Sequence, residues 1–238
     1  MKKPKILCVI PARKGSQGIK DKNMKRLNGK PLLQWTIESA LKSRLISKIV
    51  LSSDSEKMIK FVKKKYSKNV EVPFKRSSRL STNNSPLKDT LLHAINFYKQ
   101  KNVFFDYLVL LEPTSPIRFK DDIDKGIIKF HKKNKNFDGL ISVGATKINP
   151  FLLKTLEKNK IKNIFKIKPK NLNRQNFKKV YFPFGVLYLS KIKSFLKHKS
   201  FYTERTMFYK IKDCQCYEID DIYDFFCVEK IMKKVKFR

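Results

Sequence analysis

The run Lys5-Ile6-Leu7-Cys8-Val9-Ile10-Pro11-Ala12-Arg13-Lys14-Gly15-Ser16-Gln17-Gly18-Ile19-Lys20-Asp21-Lys22-Asn23 decides how this chain is read. Residues 5–10 (KILCVI) are short, apolar and stopped by Pro11, the pattern of a buried strand. A loop rich in glycine and lysine follows, from residue 12 to 29. The chain has only seven glycines, and Gly15, Gly18 and Gly29 all fall in this opening segment. Such crowding in a glycine-poor chain marks backbone positions that other residues fill badly. A loop after a first strand, with free backbone N–H groups and several cations, suits a triphosphate. Its spacing is neither G-x-x-x-x-G-K-[ST] nor G-x-G-x-x-G, which sets aside a P-loop and a dinucleotide fingerprint.

Outward from this stretch the chain alternates. Pro31 opens a helix whose apolar face carries Leu32, Leu33, Trp35, Ile37, Ala40 and Leu41. Residues 48–52 (KIVLS) read as a strand, 56–65 as a helix, 70–74 as a short third strand and 86–99 as a helix. Residues 107–111 (YLVLL) are a fully apolar strand, followed by a helix over 120–131 and a strand over 139–143. This rhythm predicts an α/β fold with a doubly wound, mostly parallel sheet. Ligands of such sheets sit outside the carboxyl ends of the strands, so residues 11–23, 52–54 and 112–118 are where a site belongs. The rhythm breaks from 149 to 182, a polar stretch read as an inserted arm. It resumes with a strand at 185–190 (GVLYLS) and a closing amphipathic helix through Ile222, Phe225, Val228, Ile231 and Met232.

Bulk composition bounds the rest. The 238 residues, 41% hydrophobic and 12% aromatic, suffice for one domain with its own core. No apolar run approaches the ~18 residues of a membrane span, and the apolar stretch after the basic N-terminus is too short for a signal peptide. A cytoplasmic protein without membrane partners is expected. Cys8, Cys214, Cys216 and Cys227 form no C-x-x-C pair and read as reduced structural thiols. The net charge of +35 invites a nucleic-acid reading. The lysines, however, are spread along the chain without forming one arm, and no nucleic-acid-binding motif accompanies them. No specific nucleic-acid partner is expected; salt-sensitive adhesion to polyanions is.

Several motifs then fall into one pattern. IPARKGSQGIKDKN with the later NGKPLLQWTI resembles the opening of the acylneuraminate (sialic acid-type) cytidylyltransferases, whose loop runs A-R-x-x-S-K-G-x-x-x-K-N before a G-K-P-L-L helix start. Arg13, Ser16, Gly18, Lys22 and Asn23 fall on that pattern, while Gln17 stands where the family more often has Lys. Residues 110–118 (LLEPTSPIR) resemble the family's L-L-Q-P-T-S-P-L-R. Arg76, ahead of Asn84-Ser85-Pro86, resembles the arginine before its second nucleotide loop. Residues 183–188 (PFGVLY) resemble P-x-G-A-I-Y, and Glu218-Ile219-Asp220 resembles D-I-D. The likeness is collinear from about residue 5 to 232.

The resemblance implies the Rossmann-like fold of nucleotide-diphospho-sugar transferases, as one domain over 1–238 with a dimerisation arm at about 149–182. It implies transfer of CMP from CTP to an acidic nine-carbon 2-keto sugar in a homodimer. Arg13 and Lys22 would be catalytic, a rigid fork and a mobile point charge on the phosphates. Ala12, Ser16, Gly18, Asn23, Arg76, Ser85 and Pro86 would complete nucleotide binding. Glu112, Ser115, Arg174, Tyr188, Phe201 and Tyr202 would meet the sugar, with Arg174, Phe201 and Tyr202 reaching a neighbouring subunit's site. Mg²⁺ is the implied cofactor. Glu218 and Asp220 would hold it, facing one way if the segment is extended, and a plain helix cap at Asp220 or Asp221 is the competing reading. Glu112 replaces the family's usual Gln, Glu218 its usual Asp, and Phe182 an arginine of some members. These departures open the sugar to bacterial relatives such as legionaminate or pseudaminate. Two alternatives stand beside this reading. One is a cytidylyltransferase for 3-deoxy-manno-octulosonate, which carries a different basic motif and a Q-G-D-E-P strand end. The other is a basic nucleic-acid-associated protein on an inactive α/β scaffold.

Overall fold

The computed structural model describes residues 3–16, 18–146, 148–165 and 178–235. In chain order the elements begin with β1 (Ile6–Pro11), β2 (Arg26–Leu27), β3 (Lys30–Pro31) and α1 (Leu32–Leu41). β4 (Lys48–Ser52), α2 (Glu56–Tyr66), α3 (Leu87–Gln100), β5 (Tyr107–Leu110), α4 (Asp122–Lys133) and β6 (Gly139–Ala145) follow. The chain closes with β7 (Lys154–Glu157), β8 (Lys160–Asn163), β9 (Tyr181–Lys191), α5 (Ile192–His198), β10 (Thr206–Lys210) and α6 (Ile222–Lys234).

Six strands form one sheet in the order β10-β6-β9-β5-β1-β4. β1 runs parallel to β4 and β5, and β10 parallel to β6. β9 lies antiparallel between β5 and β6. The central strand explains the two-sided wrapping. Ile6, Cys8 and Ile10 of β1 face one core with Leu33 and Ile37 of α1, Met58 and Val62 of α2, and Ile127 and Phe130 of α4. Leu7 and Val9 point the opposite way, against Leu91, Ala94, Ile95 and Tyr98 of α3 and Phe195 of α5. A strand buried on both faces must be apolar throughout, which is why KILCVI reads as an unbroken run. The sheet is therefore doubly wound and mostly parallel.

Some elements depart from the expectation. Residues 70–74 do not form a strand: Glu71 exchanges backbone hydrogen bonds with Ile49 and Leu51, and beyond it only the isolated bridge Ser53–Lys75 appears. Pro73 lacks the N–H needed to extend the ladder. The strand expected at 185–190 is longer, starting at Tyr181. β10, α5 and the β2–β3 hairpin were not foreseen. Within the expected arm, β7 and β8 pair as an antiparallel hairpin exposed along its whole length. No helix among the described residues is long and apolar enough to cross a membrane.

The sheet's unusual neighbours, parallel β5 and antiparallel β9, are joined at their cleft end by Arg118. This buried side chain donates to the carbonyls of Glu112 (2.8 Å), Gly185 (2.7 Å) and Val186 (2.8 Å), and to Thr36 Oγ1 of α1 (2.9 Å). Burial pulls its pKa down to about 10, so it keeps its charge at neutral pH. Arg118→Leu is expected to destabilise the fold by about 3 kcal/mol or more, because the Val186 carbonyl loses the guanidinium and the Gly185 and Glu112 carbonyls each lose one of their donors at once; urea unfolding at pH 7 measures it.

Candidate active site

A cleft of about 590 Å³ opens at the carboxyl ends of β1, β4 and β5. The loop after β1 supplies Arg13, Ser16, Gly18, Lys22 and Asn23, and the loop before α3 supplies Leu80, Thr82, Asn83 and Ser85. Arg76 and Thr90 form its back, while Glu112, Pro113 and Thr114 line the end of β5, with Asp220 and Asp221 on the segment that pairs with Thr114.

The first loop is shaped by its contacts. The Lys14 N–H donates to Asp54 Oδ1 at 2.9 Å, and Asn23 Nδ2 donates to the Arg13 carbonyl at 3.3 Å. Gly18 packs on the backbone of Asp220, where any Cβ would overlap the Asp220 carbonyl. Close approach, rather than unusual dihedrals, is what demands glycine there. Lys22 Nζ donates to the Ile219 carbonyl at 2.6 Å and lies 3.5 Å from Asp220 Oδ1. Its ammonium thus staples the loop to the C-terminal segment and keeps one further N–H for a ligand. Arg13 Nη1 donates to Asn83 Oδ1 at 2.7 Å.

Arg76 is buried. Its Nε donates to Ser81 Oγ and Nη1 to Thr90 Oγ1, and Nη2 lies 3.6 Å from Asp54 Oδ1, an ion pair, with no hydrogen-bond partner among the described residues. Ser85 faces the cleft, its hydroxyl donating to the Arg79 carbonyl. Two expected nucleotide residues lie behind the wall. Ala12 is buried with its N–H given to the Ser52 carbonyl, and Pro86 stands at the N-cap of α3.

The inner wall is acidic. Ser115 Oγ and the Gly185 N–H both donate to Glu218 Oε1, each at 2.6 Å. The Glu112 carboxyl crowds the same spot, so a Cβ on Gly185 would overlap Glu112 Oε2. Burial, and next the Glu218 carboxylate, push the Glu112 pKa from its ordinary 4.5 up to about 7, against the opposing pull of Arg118. Of the pair implied for a metal, only Asp220 lines the cleft; Glu218 is turned inward onto Ser115 and Gly185. Asp221, not Asp220, caps α6, accepting from the Tyr223 and Asp224 N–H groups.

Tyr188, on β9, lies behind this wall, where burial and then the Glu112 charge raise its pKa. Phe201 and Tyr202 lie beside Tyr188 within the chain, Phe201 buried and Tyr202 exposed. Their rings lie 5.4 and 6.5 Å from that of Tyr188 in the same chain, and Phe201 is buried in the α3/α5 core. The reason is local: the Phe201 carbonyl accepts from Thr206 Oγ1, and the ring stacks on Phe195. Arg174 and Gln17 lie outside the described residues. Sequence reading missed Asn83 and Thr90, short polar residues in a turn and on a helix face with no spacing to single them out, and placed Asp54 and Thr114 only within broader stretches.

A doubly wound sheet with a polar cleft at the carboxyl ends of its parallel strands places the chain among α/β proteins that bind their ligands at that edge. The chain belongs to the cytidylyltransferase family, whose pattern matches residues 7–234, and is an enzyme of that type. It is 32% identical over 234 residues to the CMP-N,N'-diacetyllegionaminic acid synthase of Legionella pneumophila, covering 96% of this chain and 97% of that protein. It is 31% identical over 223 residues to an N-acylneuraminate cytidylyltransferase of Streptococcus agalactiae, covering 93% of this chain and 52% of the longer streptococcal protein. Its fold superposes with a TM-score of 0.67 on a CMP:2-keto-3-deoxy-manno-octonic acid synthetase complexed with CTP. That pair is 14% identical, covering 97% of this chain and 99% of the other.

The shifted carboxyl gives a stability test. Folded Glu112 keeps its proton up to about pH 7, whereas in the unfolded chain it ionises near 4.5. Between these values the native state binds more protons, so stability falls as pH rises and the loss is complete above pH 7. Glu112→Gln, already neutral, is expected to lose this slope and to be more stable than the wild type at pH 8 by about 2 kcal/mol, with little difference near pH 4.5. Urea melts across that range check it.

Proposed function

We propose that this cytidylyltransferase transfers CMP from CTP to a nine-carbon 2-keto acid sugar, N-acetylneuraminate or a bacterial relative such as legionaminate or pseudaminate, and releases pyrophosphate. The observation that carries the reading is the convergence of Arg13, Lys22, Asn23 and Arg76 on one cleft that Glu112, Thr114 and Asp220 also line. Cations and hydrogen-bonding acceptors lining one cleft, with Lys22 and Asp220 side by side, suit a triphosphate lying beside a hydroxyl-rich sugar. Identity over nearly the full length of a legionaminate-type synthase favours a nine-carbon acceptor. The octulosonate enzyme shares the fold at 14% identity and supports only that.

In this reading the anomeric hydroxyl of the sugar attacks the α-phosphorus of CTP, and its proton is lost as pyrophosphate departs. Arg13 and the remaining N–H of Lys22 bind the phosphates, where negative charge builds up in the transition state. Arg76, the Ser85 turn and Thr90 bound the cleft on the side proposed for the base. Glu112, on the acceptor wall, orients the sugar, and Ser115, buried behind it, holds Glu218.

The residues present suit Mg²⁺ brought in with the nucleotide. Among the described residues no group of three acidic, His or Cys side chains could hold an ion alone. Asp220, mostly exposed on the cleft lip, offers the single carboxylate that Mg²⁺ commonly combines with phosphate oxygens. When bound, the ion neutralises phosphate charge and polarises the phosphorus centre. We further propose a homodimer, supported by the exposed β7–β8 hairpin, in which Leu156 and Ile161 are 83% and 71% exposed. A cytoplasmic setting, where CTP is made, fits the reaction.

In thermal-shift measurements with Mg²⁺, CTP is expected to raise the melting temperature, and ATP and GTP to leave it unchanged. Preference for another nucleotide would overturn the proposed donor. Arg13→Ala is expected to lower kcat on the order of 10²–10³-fold with the melting temperature unchanged, read by pyrophosphate release with each candidate sugar. Asp220→Asn is expected to raise the Mg²⁺ concentration for half-maximal rate, and an unaltered titration would remove it from metal binding.

A further inference from the structure

The two loops that bound the cleft meet, among the described residues, through a side-chain hydrogen bond from Arg13 Nη1 to Asn83 Oδ1. We infer that Asn83 is the positioning residue that holds the Arg13 guanidinium over the triphosphate. The inference rests on the nucleotide reading of the cleft and adds to it a residue outside the motifs.

Asn83 is exposed, yet it stands on a turn with little freedom. Ser85 Oγ accepts from the Thr82 N–H at 3.1 Å and donates to the Arg79 carbonyl at 2.6 Å. Thr82 Oγ1 lies 2.7 Å from the same hydroxyl, and Ser81 Oγ donates to the Ser77 carbonyl at 2.9 Å. Ser81 in turn accepts from Arg76 Nε at 3.0 Å. Arg76 is buried beside Asp54, and Asp54 accepts from the Lys14 N–H. The contacts close a circuit: Arg13 to Asn83, through the turn to Ser81, Arg76 and Asp54, and back to Lys14, the residue after Arg13. Asn23 holds the Arg13 carbonyl from inside the loop. Both ends of Arg13 are therefore fixed by the same frame that positions Arg76.

The chemistry of the acceptor matters as much as its place. An arginine on a long side chain loses conformational entropy when a phosphate immobilises it, and a prior contact removes part of that cost. An aspartate at residue 83 would also hold the guanidinium, but would offset its charge. An amide oxygen accepts one N–H and leaves the full charge and four further donors for the phosphates. Asn83 thus preorganises Arg13 without neutralising it.

Steady-state kinetics on Asn83→Ala, Arg13→Lys and the double variant test this, with CTP, Mg²⁺ and whichever nine-carbon sugar the wild type uses. Asn83→Ala is expected to lower kcat on the order of 10- to 100-fold, with KM for the sugar and the melting temperature unchanged. The double variant is expected to be no slower than Arg13→Lys alone, since Asn83 acts only through the guanidinium. Wild-type kcat in Asn83→Ala overturns the inference, and so does an equal, multiplicative loss in the Arg13→Lys background. Tighter CTP binding by Asn83→Ala also overturns it, because the bond would then be a latch that CTP must break. A wild type that turns over no CTP would instead sink the function proposed above, so the two failures are distinguishable.

Discussion

The Arg118 guanidinium fixes the geometry on which the cleft depends. A parallel strand and its antiparallel neighbour end at the same edge, where the Glu112 N–H bonds the Gly185 carbonyl and a gap remains beside it. Arg118 fills that gap with donors to Glu112, Gly185 and Val186 and reaches Thr36 on α1. Unpaired buried carbonyls cost more than a hydrogen bond ordinarily yields, so the end of β5 and the start of β9 have one relative position. Glu112 and Gly185, whose carbonyls Arg118 holds, are also the inner wall of the site. Fold stability and site shape thus meet in one side chain that itself stays out of the cleft.

The second constraint comes from the far end of the chain. The Ile219 N–H donates to the Thr114 carbonyl, Gly18 lies against Asp220, and Lys22 grips the Ile219 carbonyl. Beneath these contacts, Ile19, Leu27 and Leu32 pack with Ile219, Phe225, Val228 and Met232 of the closing segment. The first loop is consequently ordered by residues about two hundred positions away. A truncated chain lacking α6 would lose the apolar floor under the loop along with one lip of the cleft.

How much was legible follows from what kind of signal each element leaves. Strands buried on both faces leave apolar runs, and β1, β4 and β5 were readable for that reason. Direction leaves no trace in such a run: GVLYLS has the same composition parallel or antiparallel, so the reversal of β9 was hidden. β10, TMFYK, alternates burial over only five residues, too few to separate from a loop. Glycine- and lysine-rich motifs located the first loop, and its side chains do reach the cleft. The spacing of Glu218 and Asp220 suggested a shared task, but a carboxylate's partner is set in space. Ser115 and Gly185, distant in sequence, draw Glu218 inward. Asn83 sits among Ser, Thr and Asn residues that read as an ordinary turn, and nothing local distinguishes the one that meets Arg13.

The net charge of +35 acquires a meaning only when set against the cleft. Lysines scattered over the surface make a long-range positive field, which draws in anions of every kind. Beyond a Debye length of about 8 Å at physiological salt that field is weak, so it cannot decide which anion is retained. The scarce acids do that work by position. With only twenty Asp and Glu in the chain, Asp54, Glu112, Glu218, Asp220 and Asp221 gather around one crevice. There they orient Arg76 and Lys22, crowd a carboxyl until it holds its proton, and present acceptors to hydroxyl groups. The surface field attracts without discrimination, while the acids of the crevice set the geometry that a bound anion meets.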